Sequence, residues 1–301
     1  MAASAPIEVP TMSFRRSFPI RSLLLRSVIF SVVGSTTVSA AQTESEDRPI
    51  AIPINDTSGH TRQMRGHICI PEDTDEPRLV IINHGSPALA SQRPGLTATS
   101  CSSETAQWFL GQGYAVMFVL RLGYGTTGGP WTETFGTCDD ADYYDAGLET
   151  ARQIRAMVAY APKIEGIDAS DIIVIGHSAG GWGTLAFNSM PHPTVGTVIN
   201  MAAGRGGYQG APNVTCQPER LVAAARHYGE TASAPMLWIY AKNDHFFGPS
   251  LAQEMYEAYT AGDDQVQFEH LGSFGEDGHQ LFFARGGSRI WGPIIEAYLS
   301  E

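Results

Sequence analysis

Lysine is almost missing from this sequence of 301 residues, in which Lys163 and Lys242 are the only two. Acidic residues outnumber basic ones by 31 to 19, and the formal net charge is −12 at pH 7. Proteins that bind nucleic acids or anionic membranes present clusters of positive charge, and this sequence has few basic residues from which to form them. The composition therefore argues against both kinds of partner.

The first 40 residues lack an apolar run of roughly 20 residues, the length that a transmembrane helix needs. They contain four arginines and then a shorter run, SVIFSVVGSTTVSA at 27–40, which ends with small residues. A basic lead, a short apolar stretch and small residues are typical of a secretory signal peptide, which fits better than a membrane anchor. We predict a signal peptide at 1–40, cleaved after Ala40, and a periplasmic or secreted protein without a stable membrane span. The stretch RRSF at 15–18 partly matches the twin-arginine motif, so the export route stays open.

Cysteine is also scarce, and neither a CxxC pair nor a Cys/His ligand spacing occurs, so no zinc site is expected. Export to an oxidising compartment favours disulfides. The four cysteines, which allow three pairings, are Cys69, Cys101, Cys138 and Cys216. Cys101 and Cys138 both lie in polar, loop-like segments that precede helical patterns, and we predict a bridge between these two.

Neither an internal repeat nor a low-complexity linker occurs after residue 50, so residues 41–301 are predicted to form one domain. Its first two segments, 48–54 and 62–70, predict an antiparallel hairpin. Six short apolar runs of the kind found in parallel strands buried on both faces follow at 78–83, 114–120, 171–175, 195–202, 235–240 and 266–271. Helical patterns alternate with them at about 103–111, 139–162, 179–190, 218–228, 249–261 and 287–299. This alternation predicts an α/β fold with a doubly wound, mostly parallel sheet flanked by helices, after an N-terminal antiparallel hairpin.

The stretch Gly176-His177-Ser178-Ala179-Gly180 has the form G-x-S-x-G and lies directly between a strand pattern and a helix pattern. That context is the one in which this motif forms a nucleophile elbow, a sharp turn that holds the serine above the sheet. Glycine is needed two residues to either side because the turn leaves no room for a side chain. A helix N-cap serine in a glycine-rich turn is the competing interpretation. Ser178 is the predicted nucleophile.

A nucleophilic serine needs a base and an acid that orients the base, and in this arrangement the chain order is serine, acid, histidine. Asp244 follows the strand pattern at 235–240, and His279 follows the pattern at 266–271. Both therefore lie at the carboxyl ends of strands, where ligands bind in such sheets. The competing acids and histidines are Asp263, Asp264, Glu276, Asp277, His245 and His270. We predict that Asp244 and His279 complete a catalytic triad with Ser178.

The backbone N–H groups of Ser86 and Ala179 are the predicted oxyanion hole. Ala179 begins the helix after the nucleophile, and Ser86 lies in the loop HGS at 84–86, after the strand pattern that precedes the first crossover. The resulting chemistry is acyl transfer through a covalent acyl-enzyme, for which neither cofactor nor metal is needed.

Aromatic residues near these loops are candidate walls of a substrate pocket. The pocket prediction comprises Tyr124, His177, Trp182, Tyr208, Phe246 and Phe247. Aromatic walls favour an uncharged acyl or aryl ester. The longest insertion between strand patterns, 204–233, is predicted to form a small cap over the pocket.

Taken together, the motifs resemble those of the α/β-hydrolase superfamily, on the side of dienelactone hydrolases and prolyl-oligopeptidase-like enzymes. The matching pieces, spread over residues 50–300, are NHGSP, RLGYGTTGG, GHSAGGWG, YAKNDHF and DGHQLF. The resemblance implies the α/β-hydrolase fold and the triad Ser178, Asp244 and His279. Two departures narrow the activity: dienelactone hydrolase uses a cysteine nucleophile, and oligopeptidases carry an accessory domain for which this chain has no room.

The resulting prediction is an exported serine hydrolase that cleaves small-molecule carboxylic esters. A peptidase or amidase of the prolyl-oligopeptidase-like type, without a propeller, is the alternative. The oligomeric state stays open.

Overall fold

The computed structural model describes residues 43–261 and 265–300. The predicted signal peptide at 1–40 lies outside these residues, as do Asp263 and Asp264. The strands are β1 (Ser45–Asn55), β2 (Thr61–Pro71), β3 (Arg78–Asn83), β4 (Ala115–Val119), β5 (Gly136–Thr137), β6 (Asp140–Ala141), β7 (Asp168–His177), β8 (Val195–Met201), β9 (Met236–Ala241) and β10 (Val266–Leu271). The helices are α1 (Glu104–Gly111), α2 (Tyr143–Tyr160), α3 (Ala179–Asn188), α4 (Pro218–Gly229), α5 (Pro249–Tyr259) and α6 (Ser288–Leu299).

Eight strands form one sheet in the order β1-β2-β4-β3-β7-β8-β9-β10. The pairs β1–β2 and β2–β4 are antiparallel, and every other neighbouring pair is parallel. The predicted hairpin and mostly parallel sheet are therefore confirmed. The two-residue strands β5 and β6 pair only with each other and escaped prediction, since two residues carry no readable alternation.

Helices cover both faces of this sheet, which explains why its strands read as continuous apolar runs. Along β3, Ile81 belongs to the hydrophobic cluster on one face, and its neighbours Val80 and Ile82 belong to the cluster on the other. The first cluster includes side chains of α2, α3, α4 and α5, and the second includes side chains of α1 and α6. Alternate residues of one strand thus anchor helices on opposite sides.

The disulfide prediction is wrong. Cys69 pairs with Cys101, and Cys138 pairs with Cys216, with Cα–Cα distances of 5.6 and 4.9 Å that suit a disulfide. Cys101 precedes α1 on one face of the sheet, whereas Cys138 precedes α2 on the other, so the predicted partners are separated by the sheet.

The carboxyl ends of β3 and β7 meet where the strand order reverses, because the chain continues from β3 to β4 on one side and returns to β7 on the other. Such a switch point leaves a crevice at the strand ends, where open α/β sheets bind ligands. The loop that contains Ser86 and the turn that contains Ser178 therefore face the same crevice. Among the described residues, no helix is long and apolar enough to cross a membrane.

Candidate active site

Ser178 occupies a single-residue turn between the end of β7 and the start of α3. Its φ of 55° and ψ of −121° are strained for a residue with a side chain. The flanking glycines permit this turn. A Cβ atom on Gly176 would lie 2.3 Å from the carbonyl oxygen of Gly180, and one on Gly180 would lie 2.5 Å from those of Asn83 and His84. The structure therefore has the elbow geometry that the motif predicts.

Backbone hydrogen bonds hold the elbow in place. The Ser178 N–H donates to the carbonyl of Met201 at 3.0 Å, and the Ser178 carbonyl accepts from the N–H groups of Trp182 at 2.8 Å and Gly204 at 3.2 Å. The end of β8 and the residues after it are thus bonded to the turn at Ser178, which fixes Ser178 relative to the neighbouring strand end.

Asp244 and His279 form a buried pair. The Oδ2 atom of Asp244 lies 2.9 Å from Nδ1 of His279, while Oδ1 accepts from the N–H groups of Phe246 at 2.7 Å and Phe247 at 2.9 Å. An ionised carboxylate only accepts, so it holds the proton of the imidazole on Nδ1. Nε2 is then the nitrogen that can take a proton from Ser178.

Asp277, one of the competing acids, contacts the backbone of the turn that carries His279. Asp277 caps this 3₁₀ turn by accepting from the His279 N–H at 3.0 Å, and it also accepts from the His245 N–H at 3.0 Å. Asp277 therefore positions the backbone beneath His279, whereas Asp244 contacts its ring. The competing residue His270 lies on β10 against Phe268, with ring centroids 4.1 Å apart.

Two cavities meet at Ser178. The arginine cavity, of about 90 Å³, is lined by Ser86, Pro87, Ala88, Arg93, Trp131, Phe135, Ser178, Ala179, residues 204–209, Phe246 and Phe247. The histidine cavity, of about 300 Å³, is lined by residues 84–88, Leu96, Thr97, Thr99, His177, Ser178, Phe246, His279, Gln280 and Phe283. Ser178 and His279 thus border the same space, which is where a triad needs them.

The loop 84–86 lies directly against Ser178. A Cβ atom on Gly85 would lie 3.0 Å from Cβ of Ser178 and 3.5 Å from its Oγ. Only glycine lets the backbone approach this closely. Ser86 lines both cavities beside Ser178, and Ala179 is the first residue of α3, before the first hydrogen bond of the helix. Both predicted oxyanion donors therefore border the crevice.

His84 supports this loop as a neutral residue. Its Nδ1–H donates to the carbonyl of Gly85 at 2.6 Å, and its Nε2 accepts from the N–H of Arg121 at 3.1 Å. Burial, together with the positive charge of Arg121, lowers the pKa of His84 to about 3. The guanidinium of Arg121 donates to the His84 carbonyl at 2.7 Å.

Below this loop lies a buried ionic cluster that sequence reasoning missed. Arg121 forms an ion pair with Glu133, whose Oε2 also accepts from Arg205 and from the Tyr124 hydroxyl, both at 3.1 Å. Burial raises the pKa of Glu133, but the two arginines outweigh it and lower the pKa to about 2. Glu133 belongs to no motif, so only its position in space identifies it.

Four of the six predicted pocket residues line the cavities. Tyr208 and Phe247 line the arginine cavity, His177 lines the histidine cavity, and Phe246 lines both. Burial lowers the pKa of His177 to about 3, and its Nε2–H donates to the His279 carbonyl at 2.7 Å, so it is a neutral wall residue.

The pocket assignments of Tyr124 and Trp182 are wrong, since neither lines the two cavities. Trp182 points into the core between α2 and α3, where its Nε1–H donates to the carbonyl of Tyr143 at 2.8 Å. Tyr124 is equally buried and bonds Glu133.

Of the proposed cap segment 204–233, residues 204–209 line the arginine cavity. The later part forms α4, which packs against α2, α3 and α5 in the helix layer. Any cap therefore involves the residues before α4.

Among the described residues, one group of three potential metal ligands lies close together: His67, Cys69 and Cys101, with ligand atoms within 4.8 Å. Both sulfurs belong to the same disulfide, so neither is a thiolate that can bind zinc.

Comparisons with known proteins agree with this architecture. The sequence profile of the alpha/beta hydrolase family matches residues 79–299. No curated protein sequence matches the chain.

Solved structures with similar folds include the Pyrococcus furiosus esterase Pf2001, with 18% identity, a TM-score of 0.58, and coverage of 86% of this chain and 92% of that one. The Pyrococcus horikoshii acylaminoacyl peptidase matches with 14% identity, a TM-score of 0.60, and coverage of 86% of this chain but 42% of that one. Est1E from Butyrivibrio proteoclasticus matches with 14% identity, a TM-score of 0.52, and coverage of 83% and 98%. At these identities the likeness concerns the fold, and the family match carries the assignment: the chain belongs to the alpha/beta hydrolase family.

Proposed function

We propose that this hydrolase cleaves carboxylic esters, with Ser178 as nucleophile, His279 as base and Asp244 as the acid that orients it. The observation that carries the proposal is the buried Asp244–His279 contact at 2.9 Å beside a serine in a strained elbow. Strain and burial of this kind are maintained where chemistry needs a fixed nucleophile and a fixed imidazole.

In the proposed mechanism, Oγ of Ser178 attacks the ester carbonyl while Nε2 of His279 takes the hydroxyl proton. The carbonyl oxygen becomes an oxyanion, which the N–H groups of Ser86 and Ala179 stabilise. Collapse of this tetrahedral intermediate breaks the bond to the leaving alcohol, whose oxygen receives the proton from His279. Water then attacks the acyl-enzyme by the same sequence and releases the carboxylic acid.

Two backbone N–H groups and the imidazole all donate to the carboxylate of Asp244. Its role is to keep the Nδ1 proton in place and to stabilise the imidazolium that forms during attack. The stacked ring of Phe246, with centroids 4.3 Å from His279, limits rotation of the imidazole.

The extent of the structural matches supports an esterase over a peptidase. The esterase Pf2001 matches this chain over 92% of its own length, whereas the acylaminoacyl peptidase matches over 42% of its length.

Export is part of the proposal, and the two disulfides support it. The bonds Cys69–Cys101 and Cys138–Cys216 are of the kind that persists in oxidising compartments.

The test is active-site labelling followed by a substrate panel. A fluorophosphonate probe should label the purified protein and the control variant Ser170→Ala, whose serine is exposed at the opposite end of β7, but not Ser178→Ala. Nitrophenyl esters should be turned over faster than aminoacyl nitroanilides. Labelling that persists in Ser178→Ala would contradict the nucleophile assignment, and faster turnover of nitroanilides would favour the peptidase alternative.

A further inference from the structure

If Ser178, His279 and Asp244 act as proposed, the two cavities at Ser178 hold different parts of the ester. His279 must protonate the leaving oxygen, so the leaving alcohol lies on the side of His279. This residue lines the histidine cavity and not the arginine cavity. The acyl part of the ester, which stays on Ser178 after the alcohol departs, then lies in the arginine cavity. Its volume of about 90 Å³, against about 300 Å³ for the histidine cavity, suits a short acyl group.

The arginine cavity is positively charged, although the chain as a whole carries a net charge of −12. Arg93 and Arg205 line it, and no aspartate or glutamate of the described residues does. The Arg93 guanidinium lies 3.3 Å from the centre of the Trp131 ring, and both side chains border the cavity. A cation on an aromatic face is held in position and keeps its N–H groups available at its edge.

Ion pairs within the protein do not neutralise all of the positive charge at this cavity. Glu133 is buried between Arg121 and Arg205, and one arginine would suffice to neutralise it. The second leaves an excess positive charge, to which Arg93 adds another. Burial, together with the charge of Arg205, lowers the pKa of Arg93.

Two guanidinium N–H groups in this cluster are unpaired. Nε of Arg205 and Nε of Arg93 are buried and have no hydrogen-bond partner in the described part of the chain. Arg205 is 4% exposed and its other nitrogens are held by Glu133 and Thr150, so the orientation of its guanidinium is fixed. A buried donor without a partner costs free energy, which a bound anion would recover.

We propose that Arg93 and Arg205 bind a carboxylate carried by the acyl part of the substrate, which makes the preferred substrates monoesters of short dicarboxylic acids. The inference rests on the proposed function and names its substrate class. The unpaired Nε–H of each arginine can donate a charge-assisted hydrogen bond to a carboxylate oxygen. Aromatic residues line the same cavity, but its two arginines favour a charged acyl group over the uncharged one expected from the sequence.

The test compares two ethyl esters of the same shape, monoethyl succinate and ethyl 4-methylpentanoate, in which an isopropyl group replaces the carboxylate. The kcat/KM of each is measured from released ethanol at pH 7. Hydrogen bonds between charged groups predict a preference of roughly ten-fold or more for monoethyl succinate. Arg93→Gln and Arg205→Gln should each lower this ratio by roughly ten-fold or more. Because the ratio is taken on one preparation, partial loss of folded protein cancels.

The control is Arg220→Gln, which removes an exposed arginine paired with Asp140 away from the arginine cavity and should leave the ratio unchanged. If the probe labels Ser178 but monoethyl succinate is not preferred, the inference is overturned and the proposed function stands. The same conclusion follows if the preference is unchanged in Arg93→Gln and Arg205→Gln. No labelling and no turnover of either ester would overturn the proposed function and this inference with it.

Discussion

Replacing Glu133 by glutamine tests the buried ionic cluster beneath the active-site loop. The carboxylate is fully buried and accepts from Arg121, Arg205 and Tyr124. Glutamine keeps the shape but removes the negative charge, so two buried guanidinium groups lose their counter-ion. Removing one partner of a buried ion pair is strongly destabilising because the remaining charge stays out of water.

The magnitude follows from the pKa of Glu133, which falls from an ordinary value of 4.5 to about 2 in the folded protein. A difference of this size corresponds to about 3 kcal/mol of stability at neutral pH. Losses of roughly 3–5 kcal/mol are typical when one partner of a buried ion pair is removed, and the value for Glu133 lies at the lower end of this range. We expect Glu133→Gln to lower the free energy of unfolding by about 3 kcal/mol.

The assay is urea unfolding at pH 7, followed by far-ultraviolet circular dichroism. Glu46→Gln is the matched control, since Glu46 pairs with Arg48 at the surface, where water screens the pair, and its replacement should change the free energy of unfolding far less. A second readout is pH. The folded pKa of Glu133 is depressed, so its contribution is present above pH 4.5 and is lost as the pH falls toward about 2. The difference between wild type and Glu133→Gln should shrink over that range.

A Glu133→Gln variant as stable as Glu46→Gln would refute the reasoning, because the cluster would then contribute no more than a surface pair. A difference that stays constant between pH 6 and pH 2 would show that the loss comes from packing and not from charge.

Three further predictions follow from the site and the disulfides. Gly180→Ala places a Cβ atom 2.5 Å from the carbonyl oxygens of Asn83 and His84, so kcat on esters should fall by at least roughly ten-fold. The control Gly272→Ala places its Cβ atom in open space and should leave kcat unchanged. Asp244→Asn should lower kcat by roughly 10⁴-fold while the protein stays folded, because the imidazole loses the acceptor that fixes its tautomer; retention of more than a tenth of the activity in a kinetic assay would contradict this role. Peptide mapping without reduction should find the disulfides Cys69–Cys101 and Cys138–Cys216, and a peptide that joins Cys101 to Cys138 would contradict this pairing. Replacing Cys138 and Cys216 together by serine should lower the free energy of unfolding, measured in urea titrations, by roughly 2–4 kcal/mol.

The regular elements were the most predictable part of the fold. The strands at 78–83 and 266–271 have the predicted bounds, and every predicted helix exists with ends shifted by a few residues. Among the strands, the largest discrepancy is at β7, predicted at 171–175 and observed from Asp168 to His177. Its first residues are polar and partly exposed, so the apolar pattern begins later than the strand does.

The candidate triad was predictable for a different reason. Ser178 stands in a turn that needs glycine at both flanks, and Asp244 and His279 follow apolar runs in a fixed chain order. Each signal lies within a few residues of the side chain concerned. The signal peptide at 1–40 and the function of the triad stay predictions.

Sequence alone determined the alternation of buried strands and helices, and with it the strand ends where the candidate catalytic residues meet. Only the tertiary structure decided which cysteines pair and which aromatic residues border the cavities. It also decided that Arg121 and Arg205 pair with Glu133, and that Arg93 and Arg205 border one cavity. The physical reason is the separation along the sequence between the residues that interact. A turn or a buried strand is dictated by adjacent residues, whereas a disulfide across a loop of 78 residues or an ion pair 72 residues apart depends on how the helices cover the two faces of the sheet.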